Sequence, residues 1–311
     1  MKLLLLSLLF ALPLYAQKKA NSKHLAPFQW NNQLPKQYEE LGVQHHTYES
    51  KLNRAQVGYH ILLPEQYHEQ PMKRFPVVYL LHGGRPGNEN KILNLVAFIQ
   101  QAHQRKVIPP TIYVFVNGGP VSHYDYPTSL DHSPAGEGTK GNSTFIKELI
   151  PHIDQTYRTL AVREGRFLEG YSQGGRGALR AAFRNPEMFQ AISAGSAGVA
   201  TEKKIQQNQG AESPKIQFTP GDDAYTLAQE YSKSKLKEFP LALLLYTGNS
   251  KADFNWEGNL AYSDYLKSLD IPHRHLLIPN GTHSAKKSYE ISGDELFGFF
   301  APYLKDALKM K

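Results

Sequence analysis

The most constraining stretch of this chain is Gly170-Tyr171-Ser172-Gln173-Gly174, followed at once by Gly175-Arg176-Gly177. Upstream lies a strand-like run, Gly165-Arg166-Phe167-Leu168-Glu169. Downstream, residues 176–183 are mostly Ala, Leu and Arg, good helix formers. A serine is thus placed on a tight turn between strand and helix, in the pattern G-x-S-x-G. The glycines have a mechanical reason: neighbours without a Cβ let strand and helix approach closely around a strained residue. With 24 glycines in the chain a chance match is common, so the surrounding sequence has to decide what the motif means.

Periodicity gives the surroundings a regular form. Residues 43–49 and 55–63 read as two strands, the second alternating Ala55, Val57, Tyr59, Ile61 and Leu63 with Gln56, Gly58, His60 and Leu62, the period of a half-buried antiparallel strand. Residues 76–81 (Pro-Val-Val-Tyr-Leu-Leu) and 111–116 are continuously apolar, as strands covered on both faces should be. Helical patterns fall at 92–99, at 144–157, after Ser172 and at about 256–269, and strands at 191–195, 241–247 and 275–278. A last helix is expected from the capping box Ser292 and Glu295. The fold class is therefore α/β: a mostly parallel central sheet, helices on both faces, and antiparallel N-terminal edge strands. Two irregular segments, 118–141 and 200–223, interrupt the alternation; a helix is expected after the second, to about residue 237.

The ends of the chain read differently. Lys2, the apolar run 3–14 and Tyr15-Ala16 form a signal peptide over residues 1–16, too short to span a bilayer of about 30 Å. Residues 17–42 are polar with Pro27 and Pro35, an N-terminal arm or strap, and 43–311 form one catalytic domain. The expected location is secreted or periplasmic, without stable membrane insertion. There are no cysteines, so disulfides, thiolate metal sites and a cysteine nucleophile are excluded. The formal charge is +7, but Lys and Arg are scattered and no basic stripe interleaves with aromatics, so no nucleic-acid partner is expected.

In an open parallel sheet, ligands bind beyond the carboxyl ends of the strands. Ser172 ends one strand and His82-Gly83-Gly84 another; Asp253 follows a third, and Asn280-Gly281-Thr282-His283 a fourth. Serine, aspartate and histidine follow in the chain order of an α/β-hydrolase. Ser172 needs a base to take its proton during attack, His283 is that base, and Asp253 would hold the imidazole in the right tautomer. The backbone N–H groups of Gln173 and Gly84 are the expected oxyanion donors, and His82 an organiser of that loop. His123, Tyr124, Tyr126 and Trp256 are candidates for stacking on a sugar or aromatic acyl group, or for covering the core. His273 and His275 share a strand face but lack a third ligand; no metal and no cofactor are expected.

With these residues in place, the chain resembles the putative-esterase family of α/β-hydrolases, which includes esterase D-like, feruloyl esterase and mycolyltransferase-type members. The resemblance runs from about Val43 to Tyr303. It rests on residues 58–64 (Gly-Tyr-His-Ile-Leu-Leu-Pro), Leu80-Leu81-His82-Gly83-Gly84, residues 148–153, the Ser172 turn, Asn185-Pro186-Glu187-Met188-Phe189, Gly248 with Asp253 and Asn259, and Gly281 with His283. Two features depart from the family pattern. The spacing from Gly248 to Asp253 exceeds the usual Gly-x-x-Asp, and the usual aromatic shortly after the histidine is absent. The resemblance implies a serine ester hydrolase with Ser172, Asp253 and His283 in those roles. Its exported members often act on acylated carbohydrates, so the expected substrate is a small-molecule or glycan ester, hydroxycinnamoyl esters included. An acyltransferase with the same triad and a catalytically silent carbohydrate-binding protein are the competing readings.

Overall fold

The computed structural model describes residues 28–84, 87–125, 139–199 and 221–310. Eight strands form one sheet: β1 (Val43–Ser50), β2 (Ala55–Leu62), β3 (Val77–Leu81), β4 (Ile112–Val116), β5 (Arg166–Tyr171), β6 (Ala191–Gly195), β7 (Ala242–Gly248) and β8 (Arg274–Ile278). Their spatial order is β1-β2-β4-β3-β5-β6-β7-β8. β1 and β2 pair antiparallel, as do β2 and β4; every other pairing is parallel. This is the α/β-hydrolase arrangement expected from the alternation of strands and helices.

The all-apolar strands show why such a sheet needs them. Along β3, Val77, Tyr79 and Leu81 pack into one core layer, while Val78 and Leu80 pack into the other. Both faces are dry, so a polar side chain without a partner is costly at any position in the strand. One face is covered by a broken helix α2 (Gly141–Thr144, Phe145–Leu149 in π geometry, Ile150–Thr156), α3 (Gln173–Arg184), α4 (Ala224–Ser234) and α5 (Trp256–Ser268). The other is covered by a 3-10 stretch (Glu89–Leu95), α1 (Val96–Gln104), which continues it, and α6 (Ala285–Ala307).

Two local expectations change, and a third is narrowed. β2 is buried on both faces from Val57 onward, His60 included, because it lies between β1 and β4 rather than at the edge. α6 begins at Ala285, where the Ser284 hydroxyl caps it by accepting from the Lys287 N–H at 3.2 Å. Ser292 is non-helical (φ −129°, ψ 24°) at the kink where two helical stretches meet, and Glu295 pairs with Arg274 of β8 rather than closing a capping box. Finally, Phe28, Trp30 and Leu34 belong to the core, and the Trp30 carbonyl accepts from the Gly58 N–H at 2.7 Å. The described part of the N-terminal segment is therefore a strap integral to the domain. The expected signal peptide and residues 17–27 lie outside the described residues.

Candidate active site

The turn after β5 has the geometry its glycines require. Ser172 sits at φ 57°, ψ −117°, a left-handed conformation unusual for a residue with a Cβ. A side chain on Gly174 would overlap the Leu81 carbonyl, so β3 and α3 approach this closely only with glycine there. Ser172 caps α3, so the N–H of Gln173, the first helical residue, has no intrahelical acceptor and lies at the positive end of the helix dipole.

Three loops beyond the sheet's carboxyl edge meet at this serine. The Ser172 hydroxyl lies 3.0 Å from His283 Nε2, and His283 Nδ1 lies 2.9 Å from Asp253 Oδ1. The longer spacing from Gly248 to Asp253 thus still delivers a carboxylate to the imidazole. Asp253 is fully buried. Burial by itself would push its carboxyl up; hydrogen bonds from His283, Ser196, the Gly248 N–H and Thr247 outweigh that and hold it well below the usual carboxylate range. Its Oδ2 accepts from the Ser196 hydroxyl, from Thr247 Oγ1 at 2.9 Å and from the Gly248 N–H at 3.1 Å, while Oδ1 also accepts from the Asn255 N–H at 3.2 Å. An ionised aspartate held this way fixes Nδ1–H on His283 and leaves Nε2 free to accept the serine proton.

On the far side of Ser172, a Cβ added at Gly83 would lie 3.0 Å from the serine Cβ and 3.6 Å from its Oγ. The His82-Gly83-Gly84 loop therefore forms the second wall of the space above the nucleophile, and Gly84 turns the chain there at φ 76°. Its carbonyl accepts from the Ser122 hydroxyl. His82 is fully buried; its Nε2 accepts from the Gly118 N–H at 3.1 Å, and its ring packs 4.7 Å from that of His123. Burial, reinforced by His123, holds its imidazole well below the ordinary histidine value. It organises the loop as a neutral ring.

The aromatic candidates divide. His123 is 2 % exposed and its Nε2 donates to the His82 carbonyl at 2.9 Å, while Tyr124 is 2 % exposed beneath the Arg180 guanidinium at 3.4 Å. Both brace the oxyanion loop and α3 from inside, so neither offers a ring to a substrate. Tyr126 lies outside the described residues. Trp256 is half-buried at the start of α5, three residues from Asp253. The sequence reading missed Phe254, which is 74 % exposed with its ring 3.7 Å from that of His283. It supplies from the acid loop the aromatic that is absent after the histidine. The signal was its position next to Asp253. Ser196 and Thr247, which hold the acid, had no such signal, since both read as ordinary strand-end residues.

The sequence matches the putative esterase family over residues 50–291, most of the chain, and the chain belongs to that family. An esterase of Mycobacterium tuberculosis (strain H37Rv) is 32% identical over 140 residues, which span 45% of this chain and 28% of that protein. Among solved structures, a ferulic acid esterase superposes with a TM-score of 0.66 at 21% identity, covering 84% of this chain and 98% of that one. The S-formylglutathione hydrolase of Staphylococcus aureus gives 0.63 at 19% identity, covering 86% and 98%. A ferulic acid esterase from the anaerobic fungus Anaeromyces mucronatus gives 0.61 at 20% identity, covering 83% and 91%. The chain shares the α/β-hydrolase fold of these structures.

Proposed function

We propose that this member of the putative esterase family is an exported hydrolase of acylated carbohydrates, hydroxycinnamoyl esters included, working through an acyl-enzyme on Ser172. The observation that carries the mechanism is the continuous chain of contacts from Ser172 Oγ through His283 to the buried Asp253. Ser172 Oγ attacks the ester carbonyl carbon while His283 Nε2 takes its proton. The resulting oxyanion accepts hydrogen bonds from the Gln173 N–H and from the Gly83–Gly84 backbone, where one donor is worth about 3–4 kcal/mol of transition-state stabilisation. Collapse breaks the bond to the alcohol oxygen, which leaves with the proton held by His283. Water then attacks the acyl-enzyme, His283 accepts its proton and returns one to Ser172 Oγ, and the carboxylic acid departs.

Export is supported by Lys2 and the apolar run after it, and is compatible with the absence of cysteine. Among the described residues no helix is long and apolar enough to cross a membrane. The substrate class is supported by the relatives, two of which are described as acting on ferulic acid esters, and by Phe254, an exposed ring beside the nucleophile's base. Hydrolysis of p-nitrophenyl acetate should fall by about 10⁴–10⁶-fold in Ser172→Ala, with the fold retained by circular dichroism. Undiminished hydrolysis by a folded Ser172→Ala protein would refute the mechanism. A panel of acetyl, feruloyl and longer acyl esters, with acceptor sugars present, then reads the acyl preference and any transfer to an alcohol other than water.

A further inference from the structure

At the opposite, antiparallel edge of the sheet, His45 of β1 and His60 of β2 are direct cross-strand partners. Their Nδ1 atoms face each other at 3.1 Å. The outer nitrogens are both spoken for. Asn90 donates its Nδ2 to the Gln33 carbonyl at 3.0 Å, so its Oδ1, 2.7 Å from His60 Nε2, must accept a proton from that ring. His45 Nε2 likewise faces Asn31 Oδ1 at 2.8 Å. With hydrogen on both Nε2 atoms, the arrangement these two amide oxygens favour, two Nδ1 lone pairs point at one another. They repel unless an electrophile, a proton or a metal ion, is shared between them.

Glu89 distinguishes the two. Its carboxyl group is fully buried, and one of its oxygens lies with one ring nitrogen of each histidine in a set no more than 4.8 Å across. Asn32 Nδ2 lies 3.4 and 3.3 Å from its two oxygens and orients it. A shared proton needs two donors, whereas this place has three, each steered by an amide from behind. That is the pattern in which metal-ligating histidines give their outer N–H to a carbonyl. The space is kept open by Gly58, where a Cβ would stand 3.0 Å from Glu89 Oε1 and from His45 Cε1, and 3.2 Å from Asn31 Oδ1. Two ring nitrogens bound tetrahedrally to zinc lie about 3.3 Å apart, close to the separation here.

We infer that His45 Nδ1, His60 Nδ1 and Glu89 form a binding site for a divalent cation, with zinc the ion best matched to two imidazoles and a carboxylate and water completing the set. The ion joins β1 and β2 to the 3-10 stretch that follows the oxyanion loop. None of its ligands belongs to the Ser172, His283, Asp253 chain, so its role is to fasten the sheet edge and the strap against that loop. The sequence expectation of no metal considered only His273 and His275; here His273 Nε2 pairs with the Ser263 hydroxyl at 2.7 Å instead.

The test uses the whole mature chain without a histidine tag, stripped with chelator and titrated calorimetrically with Zn²⁺, with Co²⁺ as a spectroscopic substitute. One Zn²⁺ per chain, a raised thermal midpoint, and the visible bands of tetrahedral Co²⁺ are expected. Glu89→Gln keeps the shape and removes a buried carboxyl that a cation would need ionised, so the stripped variant should fold about as stably as the stripped parent, yet bind Zn²⁺ at least about tenfold more weakly. His60→Gln should lose the Co²⁺ bands. Absence of stoichiometric binding to the folded protein, or unchanged affinity in Glu89→Gln, would overturn the site in favour of a shared proton. Loss of binding in His273→Ala rather than in His60→Gln would overturn it in favour of another location.

Discussion

His82 and His283 stand at the same edge of the same sheet, one at the end of β3 and the other just after β8, and do opposite things. His283 meets a buried carboxylate at Nδ1 and a hydroxyl at Nε2, and its side chain keeps 16% exposure. His82 meets only backbone groups and another histidine, and has no exposure. The ring is identical; the partners differ. A carboxylate behind the imidazole stabilises the cation that general-base catalysis creates, whereas backbone acceptors and donors in a dry site stabilise only the neutral ring. A histidine at a strand end thus becomes a base or a brace according to what stands behind it.

The sharpest test of this contrast separates rate from stability. His283→Ala should lower kcat on p-nitrophenyl acetate by about 10⁴–10⁶-fold while leaving the thermal midpoint close to that of the parent protein. His82→Ala should reverse the pattern. It strips the acceptor from the buried Gly118 N–H and leaves a void beside His123, at a cost of about 2–4 kcal/mol in denaturant unfolding. Its kcat should fall by about 10²-fold at most, through displacement of the oxyanion loop. An intact midpoint with abolished turnover in His82→Ala would place that ring in the chemistry and end the comparison.

Acid should read the same difference. Burial lowers His82 well below the ordinary histidine value of 6.5, and lowers His123 to about 4. Between about pH 4 and 6.5 the unfolded chain therefore binds protons at these sites that the folded protein does not, and stability must decline as the pH falls through that window. Unfolding free energies measured from pH 7 to 4 should show a shallower slope in His82→Gln. The smallest effect belongs to Phe254. Its ring lies against His283 in solvent, so Phe254→Ala should cost about 0.5–1.5 kcal/mol of transition-state binding, read as a two- to tenfold lower kcat/KM with the thermal midpoint unmoved. A larger loss on feruloyl than on acetyl esters would mark Phe254 as an acyl contact.

How much of this was legible beforehand follows from the kind of constraint each residue obeys. Ser172 announced itself because a φ of 57° and a close strand–helix approach demand glycines at fixed offsets along the chain. The interior strands did so because two dry faces leave only apolar side chains, as in Val77–Leu81. His123 and Tyr124 could be read from the sequence either as substrate contacts or as core cover, because an irregular segment rich in polar residues looks like surface; their turn folds inward, with His123 donating to the His82 carbonyl and Tyr124 packed under Arg180. The start of α6 was ambiguous for a related reason: Ser284 and Ser292 are both competent caps, and Ser284 caps the helix while Ser292 sits at a kink within it.

By itself, then, the sequence determined the layered α/β architecture, the serine turn and the order of Ser172, Asp253 and His283 at the sheet's carboxyl edge, because each is written in local periodicity or in short spacings. Only the tertiary structure decided which carboxylate partners reach Asp253, which aromatic covers His283, and that His45, His60 and Glu89 share one place. Those three sit on separate strands and turns, 15 and 29 residues apart along the chain. Sheet register and burial bring them together, and no pattern along the chain encodes either.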